Sequence, residues 1–166
     1  LEKGKKPSPP DIRAALGPLE DWRYAGFENR FRGSEEDIRK QQSSYAEAFR
    51  KGGKVLDLGC GRGEFLDLLR ENGIEGEGVD LNGQMIDICL DKGLNCRQGD
   101  ILDRLAQVPD GSLDGIFSSQ VVEHLPPAYL KKVVETAYAK LAHGGTIVLE
   151  TVNPASVFAL VQIYYL

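Results

Sequence analysis

The sequence predicts an α/β domain wound on both faces of a mostly parallel sheet. Two observations carry the architecture, and a third says where its chemistry lies. From Lys54 onward, five short apolar runs alternate with stretches of helical periodicity. A helix between consecutive strands makes crossover connections, and crossovers make neighbouring strands parallel. Glycine closes the helical stretches at Gly73, Gly93 and Gly111, stopping each helix so that the chain can re-enter a sheet. The first run opens directly into Gly59-Cys60-Gly61-Arg62-Gly63, a turn that lets a ligand approach the main chain. At 166 residues, 42% hydrophobic and 27% charged, the chain has material for one domain, or one domain plus a tail.

Three segments follow in order. Residues 1–33 read as an N-terminal tail and lid: LEKGKKPSPP has almost nothing to bury, and Trp22, Tyr24, Phe27 and Phe31 are mixed with turn residues and arginines. Residues 34–53 read as an N-terminal helix, opened by the capping box Ser34-Glu35-Glu36-Asp37 and stopped at Gly52-Gly53. Residues 54–166 carry the alternating pattern. VLDLG is followed by the helix EFLDLLREN, EGEGVD by a helix over about residues 82–92, and LNCRQGD by ILDRLAQV. LDGIFSS precedes the longest helix, where Leu130, Val133, Val134, Ala137, Tyr138 and Leu141 share one face and Pro127 suits the first turn. Gly144-Gly145 then turns the chain into TIVLET. Residues 155–166 are apolar nearly all round. Such a helix is normally buried, so it is expected to pack on polypeptide that follows or on a second copy of the chain. The start at Leu1 and the stop inside that run suggest part of a longer polypeptide.

Composition removes several function classes. Net charge is −5, and residues 57–114 hold 5 Lys+Arg against 13 Asp+Glu, a poor surface for polyphosphate, so no nucleic-acid partner is expected. The apolar run at residues 155–166 falls short of the roughly 20 residues of a membrane span. Cys60, Cys89 and Cys96 form no C-x-x-C pair, which suggests reduced thiols and a cytoplasmic setting. Cys89 and Cys96 read as small buried apolar groups, Tyr45 as core, and Lys131-Lys132 as a solvated helix face.

In a doubly wound sheet, ligands bind beyond the carboxyl ends of the strands. The glycine turn fails the dinucleotide fingerprint G-x-G-x-x-G, because the third glycine's place is held by Glu64. It also lacks the G-K-[ST] of a P-loop. It offers a carboxylate instead, Asp57, which suits an amine-bearing or cationic ligand. Asp80 ends the second run and can accept from both hydroxyls of a ribose. Asp100 follows the third run, placed to meet an exocyclic amine.

The stretches VLDLGCGRGEFLDLL, EGVDLNGQMI, QGDILD, GSLDGIFSSQVVEHL and LAHGGTIVLET resemble the class I S-adenosylmethionine-dependent methyltransferases, over residues 54–151. The segment RFRGSEEDIRKQQSSYAEAF is similar to a bacterial and archaeal subgroup of the ubiquinone-type, type-11-like branch, some of whose members act on polysaccharide. The resemblance implies a Rossmann-like fold and the cofactor S-adenosyl-L-methionine, with S-adenosyl-L-homocysteine as product. It implies that Gly59, Cys60 and Gly61 line the methionine part with backbone groups and that Gly63 allows helix packing. It assigns the ribose to Asp80, the adenosine faces to Leu81 and Met85, and the adenine edge to Asp100 and Ile101. Ser119 and Gln120 are expected beside the methionine and the acceptor, with Arg32 reaching the cofactor carboxylate from the lid. Glu123 and His124 match an E-H pair in which the histidine is a candidate base; a loop or helix-start role for His124 is the other reading. The family's sheet ends in an antiparallel sixth and seventh strand, before which this sequence stops. The reaction implied is methyl transfer to an O or N nucleophile of a small molecule or glycan-type acceptor, no metal being required. A cofactor-binding module without turnover is the alternative.

Overall fold

The computed structural model describes residues 34–49 and 53–153. The predicted tail and lid, Arg32 with them, and the apolar run at residues 155–166 lie outside the described residues. Helix α1 (Glu35–Ala46) continues into a 3-10 turn (Glu47–Phe49) and precedes strand β1 (Lys54–Leu58). There follow α2 (Glu64–Glu71), β2 (Glu75–Asp80), α3 (Gly83–Asp91), β3 (Cys96–Gln98) and α4 (Ile101–Gln107). Strand β4 (Leu113–Ser119), a 3-10 turn (Val122–His124), α5 (Pro127–Lys140) and β5 (Leu141–Glu150) complete the order.

The five strands are parallel and ordered β3-β2-β1-β4-β5. The chain winds outward from β1 to β3, returns to β4 and winds the other way. A crevice therefore opens at the carboxyl ends of β1 and β4, where the order reverses. Alternation along β1 fills a core on each face. Val55 joins Phe49, Phe65, Leu69, Cys89 and Phe117 beneath α1, α2 and α3, whereas Leu56 and Leu58 join Ile101, Leu105, Ile116, Val133 and Ala137 beneath α4 and α5. Phe65 and Phe117 stack with ring centroids 3.6 Å apart. Gly115 in β4 makes room for the ring of Phe49: a methyl there would come within 2.3 Å of Phe49 Cδ1.

The Ser34 cap follows the sequence expectation, and Asn82 caps the helix it precedes. Ser34 Oγ accepts from the Asp37 amide and donates to Asp37 Oδ2, and Asn82 accepts from the Gln84 amide to open α3. Two expectations are corrected. Only Val133 and Ala137 of the predicted α5 stripe are buried, while Val134 is 41% and Tyr138 81% exposed. Along the helix only the i, i+4 line Val133–Ala137 reaches the core beneath it. Gly144-Gly145 is not a turn ahead of the strand but lies within it. The β4–β5 register jumps from Leu113↔Leu141 to Gly115↔Thr146, and Gly144 takes a positive φ of 80° inside that bulge.

Candidate active site

The glycine turn between β1 and α2 is held from inside. The amides of Gly59 and Cys60 both donate to the Val79 carbonyl, at 2.8 and 3.1 Å, and the Gly63 amide donates to the Cys60 carbonyl. The Gly61 amide donates to Asp80 Oδ2 at 2.9 Å. A phosphate cradle needs its N–H groups turned outward. Four of the five amides here are turned inward, onto β2 and the turn itself. The turn is possible because Gly59 has a φ of 79°, and a methyl on it would come within 2.4 Å of Val121 Cγ2. Among the side chains of this turn, Arg62 and Glu64 form a buried ion pair at 2.8 Å. Cys60 is also buried. Its contact with Cys89, its burial and the charges of Asp57 and Asp80 all push its thiol well above the ordinary range. It contributes main chain, not a nucleophile.

Asp80 ends β2 half-buried, with the Asn82 amide on Oδ1 at 2.8 Å and the Gly61 amide on Oδ2. These two backbone bonds orient the carboxylate at the strand end. Leu81 beside it is 52% exposed, an open apolar face, whereas Met85 is 2% exposed. Leu81 presents an open surface for a ring to cover, while Met85 is buried on α3. Asp57 is also buried, its charge felt by the Cys60 thiol.

Asp100 does more than the sequence indicated. It caps α4, accepting from the Leu102 and Asp103 amides, and takes the Tyr129 hydroxyl at 2.8 Å. Burial and the Asp100 charge push the Tyr129 phenol well above its ordinary range, so it stays a donor. Ile101, the first residue of α4, is 8% exposed with its side chain in the core.

At the β4 end, Ser119 is buried and donates from Oγ to Glu150 Oε2 at 2.5 Å, while the Gln120 amide donates to the Glu150 carbonyl. Gln120 adopts a φ of 56°, the one non-glycine residue among those described to do so. Such strain at the crevice marks a held turn. Glu123 is half-buried and accepts from Thr151 Oγ1 at 2.8 Å; His124 is exposed on the same 3-10 turn. Glu150 and Gln41 escaped the sequence analysis. Gln41 Nε2 donates to Glu150 Oε1 at 2.8 Å, tying α1 to the sheet edge. Glu150 ends the fifth strand, so the strand-end rule that singled out Asp80 reaches it too. Gln42, next to Gln41 on α1, is 5% exposed and its Oε1 has no hydrogen-bond partner among the described residues.

The family described as Methyltransferase domain matches residues 18–163. The chain belongs to that family. Ubiquinone biosynthesis O-methyltransferase of Nitrosococcus oceani is 31% identical over 122 residues, covering 69% of this chain and 51% of that protein. The homonymous protein of Psychrobacter arcticus is 31% identical over 128 residues, covering 69% and 48%. The chain thus spans about half the length of the curated relatives it matches. Among solved structures, an S-adenosylmethionine-dependent methyltransferase from Archaeoglobus fulgidus superposes with a TM-score of 0.82 at 42% identity, over 86% of this chain and 64% of that one. The PH0226 protein of Pyrococcus horikoshii gives 0.61 at 27%, over 69% and 56%. The methyltransferase fold is therefore the Rossmann-like one expected, and the family's cofactor is S-adenosylmethionine.

The residues present fit that group. Inward amides leave the loop no anion cradle, in keeping with a cationic ligand. Asp80 is held by backbone amides at the strand end where a ribose would lie, and Leu81 lies open beside it. Among the described residues no helix is long and apolar enough to cross a membrane, and no cluster of three or more His, Cys, Asp or Glu is arranged to hold a metal ion.

Proposed function

We propose that the protein transfers a methyl group from S-adenosylmethionine to an oxygen or nitrogen nucleophile of a small-molecule or glycan-type acceptor. One observation carries the reading: the carboxylates Asp80 and Asp100 and the Ser119-Gln120 turn stand at the ends of successive strands around an inward-bonded glycine turn. Two relatives bearing the name O-methyltransferase support the oxygen arm. Bound there, the cofactor supplies a methyl carbon already activated by positive sulfur, so the protein's task is mainly alignment. Asp80 holds the ribose hydroxyls, Leu81 covers the adenosine, Asp100 and the start of α4 meet the adenine edge, and Ser119 and Gln120 face the acceptor. His124 takes the proton of a hydroxyl acceptor, with Glu123 the nearest other base. The reduced thiols support a cytoplasmic setting.

A cofactor-binding module without turnover is the second reading, and one observation favours it. His124 is exposed, and its side chain makes no hydrogen bond among the described residues that would orient it as a base. Incubating a cell extract with methyl-labelled S-adenosylmethionine and the protein separates the two. A labelled product found by mass spectrometry supports transfer; cofactor binding with no labelled product supports the module.

A further inference from the structure

Among the described residues, some carboxylates are paired with cations and others are held by neutral donors. Asp67 and Glu77, buried or half-buried within α2 and β2, are each matched by cations: Arg39, Arg70 and Lys92 for the first, Arg97 and Arg104 for the second; Glu64, beside the glycine turn, is matched by Arg62. At the β4–β5 end the pattern changes. Glu150 is held by Ser119 and Gln41, and Glu123 by Thr151, all neutral donors. No lysine, arginine or histidine among the described residues lies within ion-pair distance of either. Neutral hydrogen bonds keep a carboxylate ionised without cancelling its field. That field is felt nearby: burial and the Glu150 charge together push the Tyr45 phenol up.

We infer that Glu150 and Glu123 make the crevice discriminate by charge, favouring the sulfonium of the cofactor over the neutral thioether of the product. The inference rests on the methyltransferase reading and concerns residues that this reading leaves unused or assigns only to the acceptor. Glu150 is bonded to the strand end where the methionine moiety is expected, and no cation among the described residues pairs with it there. Methyl transfer removes one positive charge from the ligand, so the same field that retains the substrate releases the product. Glu150 is thus a specificity-determining residue.

The test is calorimetry on the protein with S-adenosylmethionine and S-adenosylhomocysteine, compared with Glu150→Gln, Glu123→Gln and, as a control, Glu77→Gln. The glutamine at 150 can still accept from Gln41 and meet Ser119, so the clasp survives while the charge is removed. We expect each crevice variant to weaken the sulfonium ligand relative to the thioether by at least threefold, with Glu77→Gln leaving the ratio unchanged. If both ligands weaken equally in Glu150→Gln and Glu123→Gln, the residues are structural and the inference is overturned. An unchanged ratio in both variants overturns it as well. If neither ligand binds the unmodified protein, the methyltransferase reading itself fails, which is a distinguishable result. Should Glu150→Gln not fold, Glu123→Gln alone decides, by the same ratio.

Discussion

Replacing Asp80 with asparagine separates the two tasks this carboxylate performs. In the structure Oδ2 accepts from the Gly61 amide at 2.9 Å and Oδ1 from the Asn82 amide at 2.8 Å. Asparagine keeps the shape but has a single acceptor oxygen. Whichever way its amide turns, one of those two backbone N–H groups faces an NH2. Leaving a half-buried donor unsatisfied costs about 1–3 kcal/mol. For a domain of this size each kcal/mol lowers Tm by about 2–4 °C, so a fall of roughly 2–12 °C is expected. The ligand term is separate. Hydrogen bonds from a ribose to a charged acceptor are worth about 1.5–3 kcal/mol, so affinity for S-adenosylhomocysteine should fall about 10- to 150-fold. Calorimetry measures the affinity and scanning calorimetry the Tm, with the exposed helical acid Asp91→Asn as a control that moves neither. A folded Asp80→Asn protein with unchanged affinity would refute the ribose assignment. Unchanged Tm as well would refute the role of Asp80 in bracing the glycine turn.

Other outcomes follow from the same geometry. Gly59→Ala places a methyl 2.4 Å from Val121 Cγ2 at a φ of 79° and should lower stability by more than 2 kcal/mol. Gly73→Ala, at a φ of 70° with open space around it, should lose only the roughly 1–2 kcal/mol of left-handed strain; equal Tm losses would contradict the packing argument. Burial works to raise the Glu77 carboxyl, but the bonds and charges of Arg104 and Arg97 prevail and hold it below its ordinary value of 4.5. A depressed carboxylate stabilises the fold above its unfolded pKa and loses that contribution as pH falls through the folded one. Glu77→Gln should therefore lower stability by about 1–2 kcal/mol at pH 7, reduced from a fully buried pair by solvent screening, and the gap should close as pH falls below 4.5; a gap constant down to pH 2.5 in thermal melts would be inconsistent with this. With an acceptor in hand, His124→Ala should reduce kcat about 10²- to 10⁴-fold at unchanged S-adenosylhomocysteine affinity. Full turnover would leave Glu123 or an already ionised acceptor.

Much of this architecture was legible in the sequence because the signals were local. The glycine stops, the apolar runs and the strand-end acids each lie within a few residues of the feature they specify, and Ser34 and Asn82 cap the helices they precede. What escaped depends on distant pairs. Gln41 and Glu150 are 109 positions apart, and nothing in either neighbourhood marks them as partners. Tyr129 reads as one residue of a helix, yet its hydroxyl reaches from α5 to Asp100, the cap of α4. Helical spacing placed Val134 and Tyr138 on the apolar stripe but could not say which of its residues would be covered. Met85 was assigned to the adenosine by resemblance, and its burial on α3 is set by packing that the sequence does not display. The dinucleotide reading fell first on Glu64. The structure supplies the deeper reason, since the turn's amides are bonded to β2 and to the turn itself.

A crystal structure of the protein with S-adenosylhomocysteine tests the central claim most directly. The account predicts the ligand across the carboxyl ends of β1, β2 and β4, with the ribose hydroxyls in hydrogen-bond contact with the Asp80 carboxylate and the adenosine against Leu81. Ligand density elsewhere, or a ribose held by groups other than Asp80, would contradict it.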